Sequence, residues 1–136
     1  FGSTLRIFAP MDDIVEVASN TNLSGLIATN TTISREGLKT SEATVSTIGN
    51  GGLSGGPLTQ RSQEVIQYLP EKTQGKLPLI GVGGIMNPDD AKQRLDAGAS
   101  LIQVYTGFVY GGPGFVKRIL KKLRLTTNGL RQTTNG

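Results

Sequence analysis

Short apolar runs alternate along this chain with stretches whose apolar residues recur at helical spacing, and that rhythm predicts a parallel α/β architecture. Leu5-Arg6-Ile7-Phe8-Ala9 reads as a first strand. Asp12 and Asp13 then cap a helix with Ile14, Val15, Val17 and Ala18 at intervals suited to one buried face. Leu23-Ser24-Gly25-Leu26-Ile27-Ala28 is a second, buried strand. After a long Gly-rich connection, residues 63–69 form a helix with Val65, Ile66 and Leu69 inward, stopped by Pro70. Leu77-Pro78-Leu79-Ile80-Gly81-Val82 is a third strand that runs straight into Gly83-Gly84. Asn87 is a strong N-cap, with Pro88 at the first helical position, Asp89 and Asp90 in the first turn, and Gly98 as a left-handed stop. Leu101-Ile102-Gln103-Val104-Tyr105 is the fourth strand. Pro113 opens the last helix, whose expected core stripe is Phe115, Val116, Ile119, Leu120 and Leu123.

Four βα units of this kind suit either a small doubly wound sheet or half of a (β/α)8 barrel. They place one partial barrel domain over residues 1–125. Residues 126–136 carry Thr-Thr-Asn-Gly twice and are expected to be a disordered polar tail. The start, Phe1-Gly2-Ser3-Thr4, has no initiator Met and no basic-then-apolar signal pattern, so the chain is expected to begin inside a larger protein.

Composition trims the possible chemistry. With 36% hydrophobic residues and no apolar stretch near the roughly 20 residues that cross a bilayer, the 136-residue chain reads as a soluble globular domain. The net charge is +4, and much of the excess is Lys117, Arg118, Lys121, Lys122 and Arg124 on the last helix. No aromatic platform is interleaved with them, so they read as a solvated face near a helix C-terminus, and no nucleic-acid partner is expected. The absence of Cys excludes disulfides, thiol nucleophiles and thiolate zinc sites. The absence of His removes the usual general base and a Ser-His-Asp triad. Asp12, Asp13, Glu16, Glu64, Asp89, Asp90 and Asp96 all fall in expected helices or caps, which leaves no carboxylate pair at a strand end. No metal site and no catalytic base are expected within the chain.

In parallel α/β folds, ligands sit at the C-terminal ends of the strands. The second strand ends in Thr29-Asn30-Thr31-Thr32, which reads equally as an ordinary capped turn or as a binding cluster, although four such residues in a row exceed what a turn requires. An Asn amide offers a donor and an acceptor together, which suits the amide edge of a heterocycle. The third strand ends in Gly83-Gly84, bare backbone that lets a phosphate approach N–H groups, although a pair of turn glycines would read the same way. The fourth ends in Tyr105-Thr106-Gly107, which either completes a phosphate cradle or puts Tyr105 in the core as a packing residue. Gly49-Asn50-Gly51-Gly52-Leu53-Ser54-Gly55-Gly56-Pro57-Leu58 is either a flexible linker or a loop whose backbone approaches a planar ligand, and Leu53 with Pro57-Leu58 beside a helix start favours the loop.

Four segments then carry a resemblance. Ile27-Ala28-Thr29-Asn30-Thr31-Thr32-Ile33-Ser34-Arg35, Gly51-Gly52-Leu53-Ser54-Gly55, Ile80-Gly81-Val82-Gly83-Gly84-Ile85 and Ala97-Gly98-Ala99-Ser100-Leu101-Ile102-Gln103-Val104-Tyr105-Thr106-Gly107-Phe108 together resemble the membrane-associated, quinone-reducing class of dihydroorotate dehydrogenases, over residues 20–123. The resemblance implies the C-terminal half of a TIM (β/α)8 barrel that binds FMN. It implies oxidation of dihydroorotate to orotate with a quinone acceptor, in pyrimidine (UMP) synthesis, at the cytoplasmic side of a membrane. It assigns Thr29, Gly55, Gly84, Tyr105 and Thr106 to FMN, and Asn30 and Thr31 to the orotate ring. The catalytic serine and further substrate contacts belong to the family's N-terminal half, so the chain on its own is expected to be inactive.

One departure stands out. Where the family carries Lys-Ile-Ala-Pro, with the Lys on flavin, this chain has Arg6-Ile7-Phe8-Ala9-Pro10, and neither Arg6 nor Ile7 is assigned that role. A related FMN barrel, of the dihydropyrimidine dehydrogenase type or the soluble dihydroorotate class, and an inactive half-barrel remain the alternatives.

Overall fold

The computed structural model describes the backbone of residues 2–21 and 23–133, and the side chains of residues 11–21 and 23–126. In chain order the elements are α1 (Gly2–Asn20), β1 (Leu26–Ala28), α2 (Glu42–Ile48), a 3-10 turn (Gly56–Leu58), α3 (Thr59–Thr73), β2 (Leu79–Val82), α4 (Pro88–Asp96), β3 (Leu101–Gln103), α5 (Thr106–Gly111) and α6 (Phe115–Thr133). The strands form one parallel sheet in the order β1-β2-β3, with Ile27 opposite Ile80 and Ile80 opposite Leu101.

Strand side chains alternate between faces, and the two faces of this sheet have different fates. Leu26, Ala28 and Leu79 pack with Val65, Ile66 and Leu69 of α3, joined by Met11 and Val15 of α1. Ile102 packs with Ala91 of α4 and with Phe115 and Ile119 of α6. On the opposite face, Ile27 is 66% exposed and Leu101 62% exposed. A doubly wound sheet carries helices on both faces. A barrel wall has helices outside and an apolar interior face, and that is the arrangement here. The fold is therefore part of a barrel.

Three strands, not four, are present among the described residues. The run Leu5-Arg6-Ile7-Phe8-Ala9, expected as a strand, lies within α1. A five-residue apolar run fits either state by periodicity. A strand needs a ladder partner for its N–H and C=O groups, whereas a helix satisfies them internally. The other strands are shorter than expected at one end: β1 begins at Leu26, β2 at Leu79, and β3 ends at Gln103.

Helix boundaries moved more than helix identities. α3 begins at Thr59 and runs through Pro70 to Thr73, so Pro70 does not stop it. Proline removes one hydrogen bond, and here the next turn is kept by burial of Leu69 and Thr73 and by Thr73 Oγ1 donating to the Leu69 carbonyl at 2.9 Å. The helix ends instead at Gln74, in the left-handed conformation. α2 was not foreseen, although Ser41 caps its start and Gly49 its end. In α6, Phe115 and Ile119 are buried, but Val116 (41%) and Leu120 (48%) are exposed, which narrows the expected stripe. α6 also carries helical backbone to Thr133, into the stretch from Thr126 expected to be disordered. Residues 134–136 of that tail lie outside the described residues.

α4 follows the sequence closely. Asn87 Oδ1 accepts the Asp89 and Asp90 N–H groups at 2.9 Å each, and Asp90 Oδ2 accepts from Met86 N at 2.8 Å and Asn87 N at 3.2 Å. Gly98 sits at a φ of 108°, as a left-handed stop should. Asn87→Ala is expected to lower stability by about 1 kcal/mol through loss of this cap. A denaturant midpoint unchanged from the parent protein would refute that.

Candidate functional site

β1, β2 and β3 all end on one cleft of about 200 Å³. Thr29, Asn30 and Thr31 enter it after β1, residues 83–86 after β2, and residues 104–107 after β3, while Ser54 and Gly55 reach it from the Gly-rich loop. All seven residues assigned from the sequence, Thr29, Asn30, Thr31, Gly55, Gly84, Tyr105 and Thr106, are in its wall. Its described lining contains no carboxylate, lysine or arginine. The site can bind and orient through hydrogen bonds, and these walls supply no strong acid or base.

The β1 end is built by local bonds. The Ala28–Thr29 peptide bond is cis. Thr29 N donates to the Val82 carbonyl at 2.7 Å, which ties this turn to β2. Asn30 Oδ1 accepts the Thr31 N–H at 2.8 Å. That leaves the Asn30 amide nitrogen as a donor without an acceptor among the described residues.

The Gly-rich loop is ordered by pairing. Thr32 and Leu53 exchange backbone hydrogen bonds of 3.0 and 2.7 Å as an antiparallel bridge, which sets the loop against the β1 end. A Cβ on Gly52 would fall 2.1 Å from Thr31 Oγ1, so glycine is what lets the loop lie over Thr31. Gly55 has a φ of 80°, and a Cβ there would meet Thr106 Cγ2 at 2.9 Å. Ser54 Oγ and Thr106 Oγ1 are 3.0 Å apart, joining the loop to the start of α5. The segment is a wall of the cleft rather than a linker.

The β2 end gives the glycines a reason the sequence did not reveal. Gly84 has a φ of 68°, and a Cβ on it would lie 2.4 Å from both the nitrogen and the Cα of Thr59. The first residue of α3 occupies that space, so close helix packing requires the glycine, independently of any ligand. Thr59 Oγ1 donates to the Gly84 carbonyl at 2.7 Å, and Ser62 Oγ to the Val82 carbonyl at 2.8 Å.

α5 starts at Thr106, just after Tyr105, which is exposed rather than a core tyrosine. Helix starts leave backbone N–H groups without intrahelical partners. A short extra helix after the last strand, beside a turn from the preceding strand, is a recurrent phosphate-binding arrangement in barrels.

Ser54, Ile85 and Met86 line the cleft without having been assigned, although Ser54 and Ile85 lay within the quoted motifs. Arg94 was missed altogether. It is 0% exposed beneath the β2 turn, and its burial pulls the guanidinium down from its ordinary pKa, with the Asp90 charge opposing. One Arg in a helix rich in charged residues carries no sequence signal of burial. Arg6 and Ile7 fall in the first half of α1, where side chains before residue 11 lie outside the described residues. Among the described residues, no cluster of three or more acids could hold a metal ion.

Comparison with known proteins gives a consistent picture. A family model described as "Dihydroorotate dehydrogenase" matches residues 5–126. The chain is 54% identical over 111 residues to a dihydroorotate dehydrogenase (quinone) of Christiangramia forsetii, covering 82% of the chain and 32% of that relative. It is 51% identical over 113 residues to the enzyme of the same name from Kineococcus radiotolerans, covering 83% and 31%. Among solved structures, the ligand-free DHODH of Eimeria tenella superimposes with a TM-score of 0.77 at 41% identity, covering 87% of this chain and 32% of that one. The chain thus spans about a third of the length of the curated relatives it matches.

Proposed function

The chain belongs to the dihydroorotate dehydrogenase family, and on that premise we propose that it is the C-terminal part of an FMN-dependent barrel that oxidises dihydroorotate to orotate and passes the electrons to a quinone, as the redox step of pyrimidine (UMP) synthesis. The observation that best supports this reading is the meeting, in one cleft, of a phosphate-type wall and an amide-reading wall. Residues 83–85 and the start of α5 suit an anion, because both offer backbone N–H groups at close range. Asn30 and Thr31 stand on the neighbouring strand end, with a free amide donor suited to a polar heterocycle.

In this reading Gly84, Tyr105 and Thr106 hold the FMN phosphate, Thr29 and Gly55 lie against the cofactor, and Asn30 and Thr31 orient the substrate ring. FMN, when bound, supplies the hydride acceptor and the route to the quinone. The proton is removed by a group from the rest of the barrel, because the described lining contains no base. A quinone acceptor calls for attachment of the whole enzyme at the cytoplasmic face of a membrane, and no described helix of this chain is long and apolar enough to cross one.

The test joins this chain to the N-terminal two thirds of the Christiangramia forsetii relative, giving a completed barrel. It is expected to purify with flavin absorbance and to reduce a soluble quinone only when dihydroorotate is present. Colourless protein, or turnover that needs a nicotinamide acceptor instead, would refute the reading. The chain alone is expected to show no turnover and to self-associate, since Ile27, Leu101 and the sheet edges are bare. Turnover by the isolated chain would contradict this.

A further inference from the structure

The turn after β2 is held from below in a way that the assigned ligand contacts do not explain. Arg94, on α4, is fully buried, yet it faces no carboxylate in the cleft. One of its terminal nitrogens donates to the Thr59 carbonyl at 2.7 Å and to the Gly83 carbonyl at 3.3 Å. The other donates to Gln63 Oε1, and Gln63 in turn donates to the Gln93 carbonyl at 3.2 Å. Its Nε is buried with no hydrogen-bond partner among the described residues. Burying a charged fork with one donor unsatisfied is costly, so its place under this turn calls for a reason.

Peptide geometry supplies one. The Gly83–Gly84 and Gly84–Ile85 bonds are trans. Within a planar trans peptide unit, the C=O and the N–H point in opposite directions. Arg94 draws the Gly83 carbonyl down, away from the cleft, and Thr59 Oγ1 does the same to the Gly84 carbonyl. The N–H groups on the other side of those two units belong to Gly84 and Ile85, both in the cleft wall. Neither donates to an acceptor among the described residues. The next two N–H groups, of Met86 and Asn87, are already taken by the Asp90 carboxylate. The open window is therefore two donors wide, and its floor is set by Arg94 and Thr59.

We propose that Arg94 and Thr59 are positioning residues: by fixing the Gly83 and Gly84 carbonyls from beneath, they aim the Gly84 and Ile85 N–H groups into the cleft as a preformed site for a phosphate dianion. This rests on the reading of that cleft as the site of the FMN phosphate. It adds that affinity for the phosphate is controlled by side chains that never touch it. Successive N–H groups aimed at one point make an anion site without any basic side chain at the ligand, and this lining has none. The guanidinium is suited to the task because its planar fork is fixed by Gln63 on one terminal nitrogen while the other meets the Thr59 and Gly83 carbonyls, an orientation that a lysine ammonium on a flexible stem holds less well.

The experiment compares FMN with riboflavin, which lacks the phosphate, by fluorescence titration of the completed barrel. The parent protein is expected to prefer FMN. Arg94→Met should cut FMN affinity about tenfold or more, the scale of one misaligned hydrogen bond to a charged group, and leave riboflavin affinity unchanged. Thr59→Ala should lower the FMN preference in the same sense through an independent carbonyl, and Thr59→Ser, which keeps the hydroxyl, should restore it. This pair keeps the test decisive if Arg94→Met does not fold. Arg94→Lys should recover only part of the preference. Full recovery by Lys would replace positioning with simple charge attraction. Equal losses for FMN and riboflavin would mean a purely structural role and would overturn the proposal, as would an FMN preference that survives both Arg94→Met and Thr59→Ala. A parent protein that binds riboflavin as tightly as FMN would instead sink the phosphate reading of the cleft, and the proposal with it.

Discussion

Gly84→Val is expected to unfold or severely destabilise the completed barrel, not merely weaken its hold on a phosphate. The added Cβ would lie 2.4 Å from the Thr59 nitrogen and Cα and 2.8 Å from the Leu58 carbonyl carbon. Those are backbone atoms of the first residue of α3 and of the 3-10 turn before it, and they cannot rotate aside. The helix cannot retreat either, because Val65, Ile66 and Leu69 anchor it in the core, and Thr59 is held by Arg94 and by its own bond to Gly84. Overpacking of this kind costs roughly 1–3 kcal/mol, and a branched residue at positive φ adds about 1–3 kcal/mol more. The sum is a large share of the roughly 5–15 kcal/mol that holds a domain together.

Gly37 provides the control. It has a φ of 72°, but nothing lies within 4 Å of where its Cβ would be. Gly37→Ala should therefore cost only the backbone strain of about 1–2 kcal/mol. Chemical denaturation of both variants separates the two effects. If Gly84→Val proved no less stable than Gly37→Ala, the packing account of Gly84 would be wrong.

That contrast also shows where sequence reasoning reached and where it stopped. The Asn87 cap, the inward Val65, Ile66 and Leu69, and the Gly98 stop were legible because each rests on interactions within a few residues. The cleft was legible because strand ends are also local, so Thr29, Gly84 and Thr106 could be placed at one end of a parallel sheet from the sequence alone. The purpose of Gly84 was not, because it depends on Thr59, 25 residues away in the chain. Nor was Arg94, whose partners Thr59 and Gly83 lie on two other segments. The run from Leu5 to Ala9 failed for the same reason, since its state turns on a neighbouring strand that five residues cannot announce. Pro70 failed in the opposite direction: a local rule was overridden by burial on the following turn.

Asn30→Ala should have the largest effect on turnover with the least on fold. Asn30 is exposed in the cleft wall, and its side chain bonds only its own turn, through Oδ1 to the Thr31 N–H. Surface changes of this kind usually shift stability by no more than about 0.5 kcal/mol. The proposed phosphate contacts sit on other strand ends, at Gly84 and at Tyr105 with Thr106, so flavin absorbance should be retained. What disappears is an amide donor beside the proposed substrate ring. An unpaired polar edge on a buried ligand costs about 1–3 kcal/mol per group, and sites built to read hydrogen bonds discriminate steeply when one is missing. kcat/KM for dihydroorotate is expected to fall by about a hundredfold, at unchanged flavin content. Asn30→Asp decides how. The carboxylate still accepts the Thr31 N–H, so it preserves the turn, but it cannot offer the amide donor and it adds a negative charge. If the loss in Asn30→Ala came from a collapsed turn, Asp would restore activity. If it comes from the missing donor, Asp will be as poor as Ala or poorer, with both proteins still yellow. Loss of flavin from Asn30→Ala, with normal turnover per flavin remaining, would move Asn30 from the substrate to the cofactor.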